Sequence, residues 1–175
     1  TVTADASVVS IAAGLGAAIG VAVLENTIGS TITARATDAT LVSTDTFITA
    51  DSVAAVPKTV TVGVSASLVG AAGNRSNATI ATLVSATTER AMLTSSGSVT
   101  VQATSTNTAS ASAYGGAFGA IAIGAMIADI RVGRGDGIDE VVASVGADTH
   151  VDAAVLRPKA GGGAAGRPRV TAPDR

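Results

Sequence analysis

The feature that most constrains this chain is an internal repeat. Ala34 and Ala86 hold the same place in two polar-alternating segments, TITARATDATLV from Thr31 and TLVSATTERAML from Thr82. Ala50 and Ala103 close two matching phrases, TFITADS at Thr46–Ser52 and VTVQATS at Val99–Ser105. Both pairs set a spacing of about 52 residues, and agreement at two separated anchors makes chance a poor explanation. Three blocks follow, Ala6–Ser52, Lys58–Ser105 and Asn107 to about Val151. Each opens on a Gly/Ala-rich apolar stretch: VVSIAAGLGAAIGVAVLEN from Val8, VTVGVSASLVGAAGN from Val60 and ASAYGGAFGAIAIGAMIAD from Ala111. The third block is looser, because GRGDGIDE at Gly133–Glu140 lengthens it.

Inside the blocks the period is two. Val60, Val62, Val64, Ala66 and Leu68 alternate with Thr61, Gly63, Ser65 and Ser67, and Val99, Val101 and Ala103 with Thr100, Gln102 and Thr104. Alternation places one set of side chains on one face of an extended strand, and branched Val, Ile and Thr suit a pleated surface. Turn signals at Gly29-Ser30, Thr44-Asp45, Gly73-Asn74, Ser96-Gly97 and Gly135-Asp136-Gly137 punctuate the pattern. The reading is all-β, with strands of roughly five to eight residues. Val62, Val64, Leu68, Ile80, Val84, Val99 and Val101 are expected inside, and Thr61, Ser65, Thr100 and Gln102 outside.

Composition narrows the function classes. Aromatic residues make up 2% of the chain and charged residues 14%, against roughly 25% charged in an ordinary soluble domain. So few large side chains argue against a compact enzyme core. A net charge of -2 lacks the electrostatic footprint of a nucleic-acid binder, so no nucleic-acid partner is expected. The absence of cysteine excludes a disulfide scaffold, a thiol nucleophile and thiolate metal sites. There is no signal peptide pattern, and the chain reads as a piece of something longer.

A helical alternative concerns the two longest apolar stretches. Val8–Leu24 and Ala109–Ala128 carry no charge, and the second reaches the length of a membrane helix. Their glycines resemble the close-packing faces of membrane helices. Against it, Lys/Arg flanks and an aromatic belt are missing, and the matching stretch of the second block is broken by Ser65, Ser67 and Asn74. A membrane-associated or pore-forming assembly built from these stretches stays open as the alternative function.

The strand GAAIGVAVLEN, the alternating I-T-A-x-A segment and the short strand ending in xTAxS or VxAxS resemble the repeats of very large bacterial secreted adhesins. The groups it is similar to are filamentous-haemagglutinin-like exoproteins and leukotoxin-type filamentous adhesins. The likeness covers Ala6 to about Val151, although the third block lacks the closing phrase. It implies a right-handed parallel β-helix of about three repeats, exported to the cell surface or outer membrane, acting as a stalk or adhesive fibre without catalysis. The implied partners are a host-cell surface or matrix component, neighbouring repeats of the same chain, and further copies through exposed solenoid ends. If a repeat is two coils, Ala50 and Ala103 stand ~10 Å apart, and if three, ~14 Å. An antiparallel pairing, or a separation far outside that range, would argue against the β-helix.

Candidate chemistry is sparse. His150, the one histidine, reads as a surface strand residue, with no nucleophile-elbow motif to make it catalytic. A hydrolase carried on a β-helix would need clustered carboxylates on one exposed face. Lys58 follows Pro57 and reads as a loop solvator. Asp136, Asp139 and Glu140, with Asp129 nearby, are hard oxygen donors in a Gly-rich loop, a weak calcium candidate whose spacing fits neither an EF-hand nor a β-roll nonapeptide. Arg134, Gly135 and Asp136 form the integrin-recognised tripeptide, a weak adhesive motif. No cofactor is expected. Asn74 and Asn77 match the glycosylation pattern but read as a corner. The domain reading is a solenoid segment over residues 1–156 and a disordered Gly/Pro/Arg-rich tail over 157–175.

Overall fold

The computed structural model describes residues 1–133, 139–146, 148–163 and 166–171. Among them the chain is all-β and its strands pair in parallel. The run is β1 (Val2–Ala13), β2 (Ala17–Thr37), β3 (Thr40–Ser43), β4 (Thr46–Ala66), β5 (Val69–Glu89), β6 (Met92–Phe118), β7 (Ile121–Val132), β8 (Asp139–Val145), β9 (His150–Gly163) and β10 (Gly166–Thr171). One sheet stacks β1 on β4 on β6, with β3 and β9 also on β6. The other stacks β2 on β5, with β7 and β8 on the far side of β5 and β10 on β8. The chain passes from one sheet to the other at each turn, which is the arrangement of a solenoid.

Register identifies the repeat. Ala17 pairs with Val69 and Thr37 with Glu89, and Val69 in turn pairs with Ile121, so equivalent positions lie 52 residues apart. Ala34 is the ladder partner of Ala86, and Ala50 of Ala103. The sequence anchors are therefore real structural equivalents. The expected separation of 10–14 Å between Ala50 and Ala103 is corrected, since ladder partners stand one strand spacing apart, ~4.8 Å. The parallel sense holds; the coil count per repeat does not, because each repeat is one long, flattened coil.

Strand length explains that correction. β2, β4 and β5 each run 21 residues, about 70 Å at the usual rise, where strands of five to eight residues were expected. Gly29-Ser30 and Gly73-Asn74 do not turn the chain; they lie within β2 and β5, in unbroken register with Ala81-Thr82 and Val21-Ala22. Parallel neighbours bond the backbone at these positions, and that cooperative ladder overrides a local turn preference. Thr44-Asp45 does break the strand, and Ser96-Gly97 makes an irregularity within β6. The helical alternative is overturned: Val8–Leu24 is two strands joined at a corner, and so is Ala109–Ala128. No helix of the described residues is long and apolar enough to cross a membrane.

The interior lies between the two sheets and changes character along the strands. Toward the corner at Asp38 and Arg90 it is aliphatic, built on Ile48, Val84, Leu93, Val99, Val101 and Val141. A second cluster of Ile28, Ala54, Val56, Ala78 and Ile80 lies farther along. Beyond it the buried side chains are Thr59, Thr61, Ser65, Asn74 and Ser76. Ile80, Val84, Val99 and Val101 are buried as expected, with Thr100 and Gln102 half-buried on the outer face. The expectation is reversed at four places: Thr61 and Ser65 are buried, while Val62 and Val64 are only half-buried and face outward. Leu68, expected inside, is a corner residue 63% exposed.

A bulge causes the reversal. Val56 pairs with Ala109 but Thr59 with Ala111, so Pro57 and Lys58 together oppose one residue of β6. Proline has no N–H to give the ladder, which suits it to such an irregularity. Both Pro57 and Lys58 are exposed, and after them the inward phase passes to Thr59, Thr61, Gly63 and Ser65. Lys58 thus belongs to a strand, not to a loop. The strands also run past the boundary set at residue 156, since β9 pairs with β6 as far as Gly163 and β10 with β8 from Gly166. Pro158 sits opposite Val101 in the outermost strand of its sheet, where a missing N–H is tolerated.

Candidate functional surfaces

Successive coils stack their corners in columns at both ends of the flattened tube. At one end the corners are Asp38, Arg90 and Asp148, each with positive φ (51°, 47° and 58°). A left-handed residue at each corner turns the chain from one sheet to the other. The Arg90 guanidinium donates to both carboxylate oxygens of Asp38, at 2.6 and 2.7 Å, across two coils. These bonds hold the Asp38 carboxyl below its ordinary range and raise Arg90 above its own. Arg35 pairs with Glu89 on the same side. Asp45, in the break before β4, accepts hydrogen bonds from the Ser98 N–H and Oγ, both 2.8 Å, which also lowers its pKa. These groups are exposed or, at Glu89 and Ser98, half-buried, and each joins one coil to the next.

The opposite end is different in every respect. Its corners are Gly14–Gly16, Ser67-Leu68 and Gly119-Ala120, between strands that carry no charge over Ala6–Leu24, Thr59–Asn74 and Ala91–Ala128. On the outer face of the first sheet Val9, Val62 and Tyr114 stand in register, as do Ile11 and Val64, with Phe118 beside Ala66 at the corner end. On the second sheet Ile19, Val21 and Val23 line up with Ile123 and Ile127, with Val69 and Ile121 beside them. Ile11 is 76% exposed, Ile19 72% and Leu15, at the corner, 97%.

Beneath this apolar exterior the interior is polar. Asn26 Nδ2 donates to the Ala4 carbonyl at 3.1 Å, and Ser76 Oγ to the Thr59 carbonyl at 2.8 Å. Asn74 Nδ2 bridges sheets by donating to the Tyr114 carbonyl at 2.7 Å. Thr61 Oγ1, Ser65 Oγ and Asn74 Oδ1 are buried without a hydrogen-bond partner. Side chains this small let the sheets approach closely: a Cβ on Gly63 would lie 2.0 Å from Asn74 Oδ1.

The residues singled out from sequence do not converge on one site. Arg134, Gly135 and Asp136 lie outside the described residues. Asp139 and Glu140 open β8, where Asp139 pairs with Gly166 and Glu140 with Leu83 and Arg167; Glu140 is exposed. Asp129 lies in β7 and accepts from Arg131 Nε at 3.1 Å. Among the described residues no three His, Asp or Glu side chains cluster as a metal site. His150 is exposed at the start of β9, and its backbone N–H donates to the Ala91 carbonyl. A shallow groove of about 230 Å³ lies over Gly29, Ser30, Thr31 and Ala81, and none of these can titrate. The corner column of Asp38, Arg90 and Asp148 escaped the sequence reading. Its signal was the 52-residue step from Asp38 to Arg90, hidden because the two residues differ in type.

No family model, curated protein or solved structure matches this chain.

Proposed function

We propose that this chain is a structural and adhesive segment of a large secreted or surface-exposed bacterial protein, without catalysis. It is a right-handed parallel β-helix of about three repeats of roughly 50 residues, of the kind found in filamentous-haemagglutinin-like and leukotoxin-type adhesins. One observation carries the reading: the parallel ladders among β1 to β7 keep an offset of 52 or 53 residues, which widens to 57 or 58 where β8 and β9 pair, and among the described residues both sheets end in strands open to further parallel pairing. Such an array grows in one dimension by neighbour stacking, the geometry of a stalk. The repeat patterning that resembles those adhesins supports the adhesive role and the surface location. The outward positions along the charged half are small and polar, Thr31, Thr33, Ser85 and Thr87 among them, and offer a broad contact surface instead of a cleft.

Beads coated with the purified chain test the adhesive role on cultured epithelial cells and on matrix-coated glass. Retention well above albumin-coated beads is expected, and retention equal to albumin overturns it. An experimental structure tests the coil, and a left-handed path would overturn the β-helix named here.

A further inference from the structure

We infer that the apolar end of the flattened tube inserts into a lipid bilayer, corner first, as far as a line of polar and charged residues that crosses both faces at one level. On the first sheet that line is Asp5 beside Lys58, which are ladder partners. On the second sheet it is Glu25, Asn77 and Asp129, also in register. Arg75, two residues closer to the corner and level with Val23 and Ile127, is the one charged residue inside this line; it is exposed and turns its Nε back toward the line, to Asn77 Oδ1 at 3.1 Å. From this line to the corner, Ala6–Ala13 on one sheet and Ala17–Leu24 on the other span roughly 26 Å at the usual strand rise. A bilayer hydrocarbon core is about 30 Å thick, and the apolar band of membrane β-proteins about 25 Å tall.

The polarity of this end is that of a strand structure surrounded by lipid. Aliphatic side chains point out, and Thr61, Ser65, Asn74 and Ser76 point in. A parallel sheet whose strands read as nearly continuous apolar runs, such as IAIGAMIADI in β7, is ordinarily covered on both faces. Here the outer face of each sheet is uncovered. The occupant follows from the shape of the surface. A second copy or another protein would cover one face, whereas the apolar surface takes in both outer faces and the corner at Leu15 and Leu68. Only a surrounding medium meets all three. Phe118, at the corner end of β6, comes to the far interface, where aromatic side chains are favoured, while Tyr114, level with Val62 and Val9, lies midway between the corner and the charged line.

Insertion also makes a demand on the edges. Among the described residues, backbone groups along β1 and β2, and along β7 and the end of β6, have no partner strand on their outer sides. In hydrocarbon such groups must pair. Inserted coils therefore assemble edge to edge, the β6–β7 edge of one copy receiving the β1–β2 edge of the next, a head-to-tail contact that propagates.

The test needs no label, because Tyr114 is the one tyrosine and tryptophan is absent. The purified chain is mixed with phosphatidylcholine vesicles and floated on a density gradient, and Tyr114 fluorescence is followed with and without doxyl-labelled lipid. The chain is expected to float with the vesicles and doxyl lipid to quench Tyr114. The double variant Ile19→Lys/Ile123→Lys, at exposed outward positions, is expected to keep the β-type circular dichroism and to partition roughly tenfold or more less well. Thr33→Lys, at the charged end, floats like the parent. A chain that stays at the bottom with Tyr114 unquenched overturns the inference. So does a double variant that floats like the parent, or a vesicle-free oligomer that already shields Tyr114 from aqueous acrylamide, which would make a second copy the occupant.

Discussion

A single missing side chain decides how closely the two sheets approach at the apolar end. Gly63 faces inward beneath Asn74, and a Cβ there would meet Asn74 Oδ1 at 2.0 Å. Asn74 cannot easily yield, since its Nδ2 is committed to the Tyr114 carbonyl. Gly63→Ala is expected to destabilise the fold by ~1–3 kcal/mol in urea unfolding, the usual cost of overpacking. Adding Asn74→Ala removes the obstacle, so the double variant should cost less than the sum of the single ones. Charge acts at the other end. Asp38 and Asp45 both have folded pKa values below the unfolded value of about 3.9. Their contribution is therefore present above that pH and lost as pH falls through the folded values. The urea midpoint should hold steady from pH 7 to about 5 and fall below about 4. Asp38→Asn should flatten that fall, and an unchanged profile would show that the Arg90 contact adds nothing.

Among the elements, β4 determines which side chains meet solvent. Its extra residue at Pro57-Lys58 turns Val60, Val62 and Val64 outward and Thr59, Thr61 and Ser65 inward, while β6 passes the same level without a bulge. Deleting Lys58 restores strict alternation and would drive the valines against the polar residues of β5. The deletion is expected to cost several kcal/mol or abolish folding, whereas Lys58→Ala, at an exposed position, should stay within about 0.5 kcal/mol. Thermal unfolding of the two variants checks this, and equal melting temperatures would deny the bulge its role. Period two was legible in β4 from sequence. Its phase was not, because a one-residue slip moves every side chain to the other face while leaving the pattern unchanged.

At the scale of the whole molecule, stability is shared between neighbouring coils. β5 is paired on both sides along its length, to β2 on one and to β7 and β8 on the other. Among the described residues β1 is paired only to β4. Val84, fully buried in β5, should cost roughly 2 kcal/mol when cut to Ala. Val8→Ala, at a half-buried position in β1, should cost less than half of that. Equal losses in urea unfolding would mean that the edge coil is as tightly held as the central one, against nearest-neighbour stacking.

Several properties follow from the order of residues alone. Branched and small residues in period two specify strands, the Ala34–Ala86 and Ala50–Ala103 matches specify what stacks on what, and the three charge-free stretches specify where charge cannot be. Each is local or is a comparison of one stretch with another, so no knowledge of the fold is needed to read it. Tertiary structure alone decided that a repeat is one coil and not two or three, because only continuous pairing could carry the chain straight through Gly29-Ser30 and Gly73-Asn74. It also decided which face of each strand meets solvent. That choice rests on a bulge at Pro57-Lys58 whose effect is felt only against the neighbouring strand, and it turned the valines of β4 outward to join Ile19 and Ile123 on an apolar exterior.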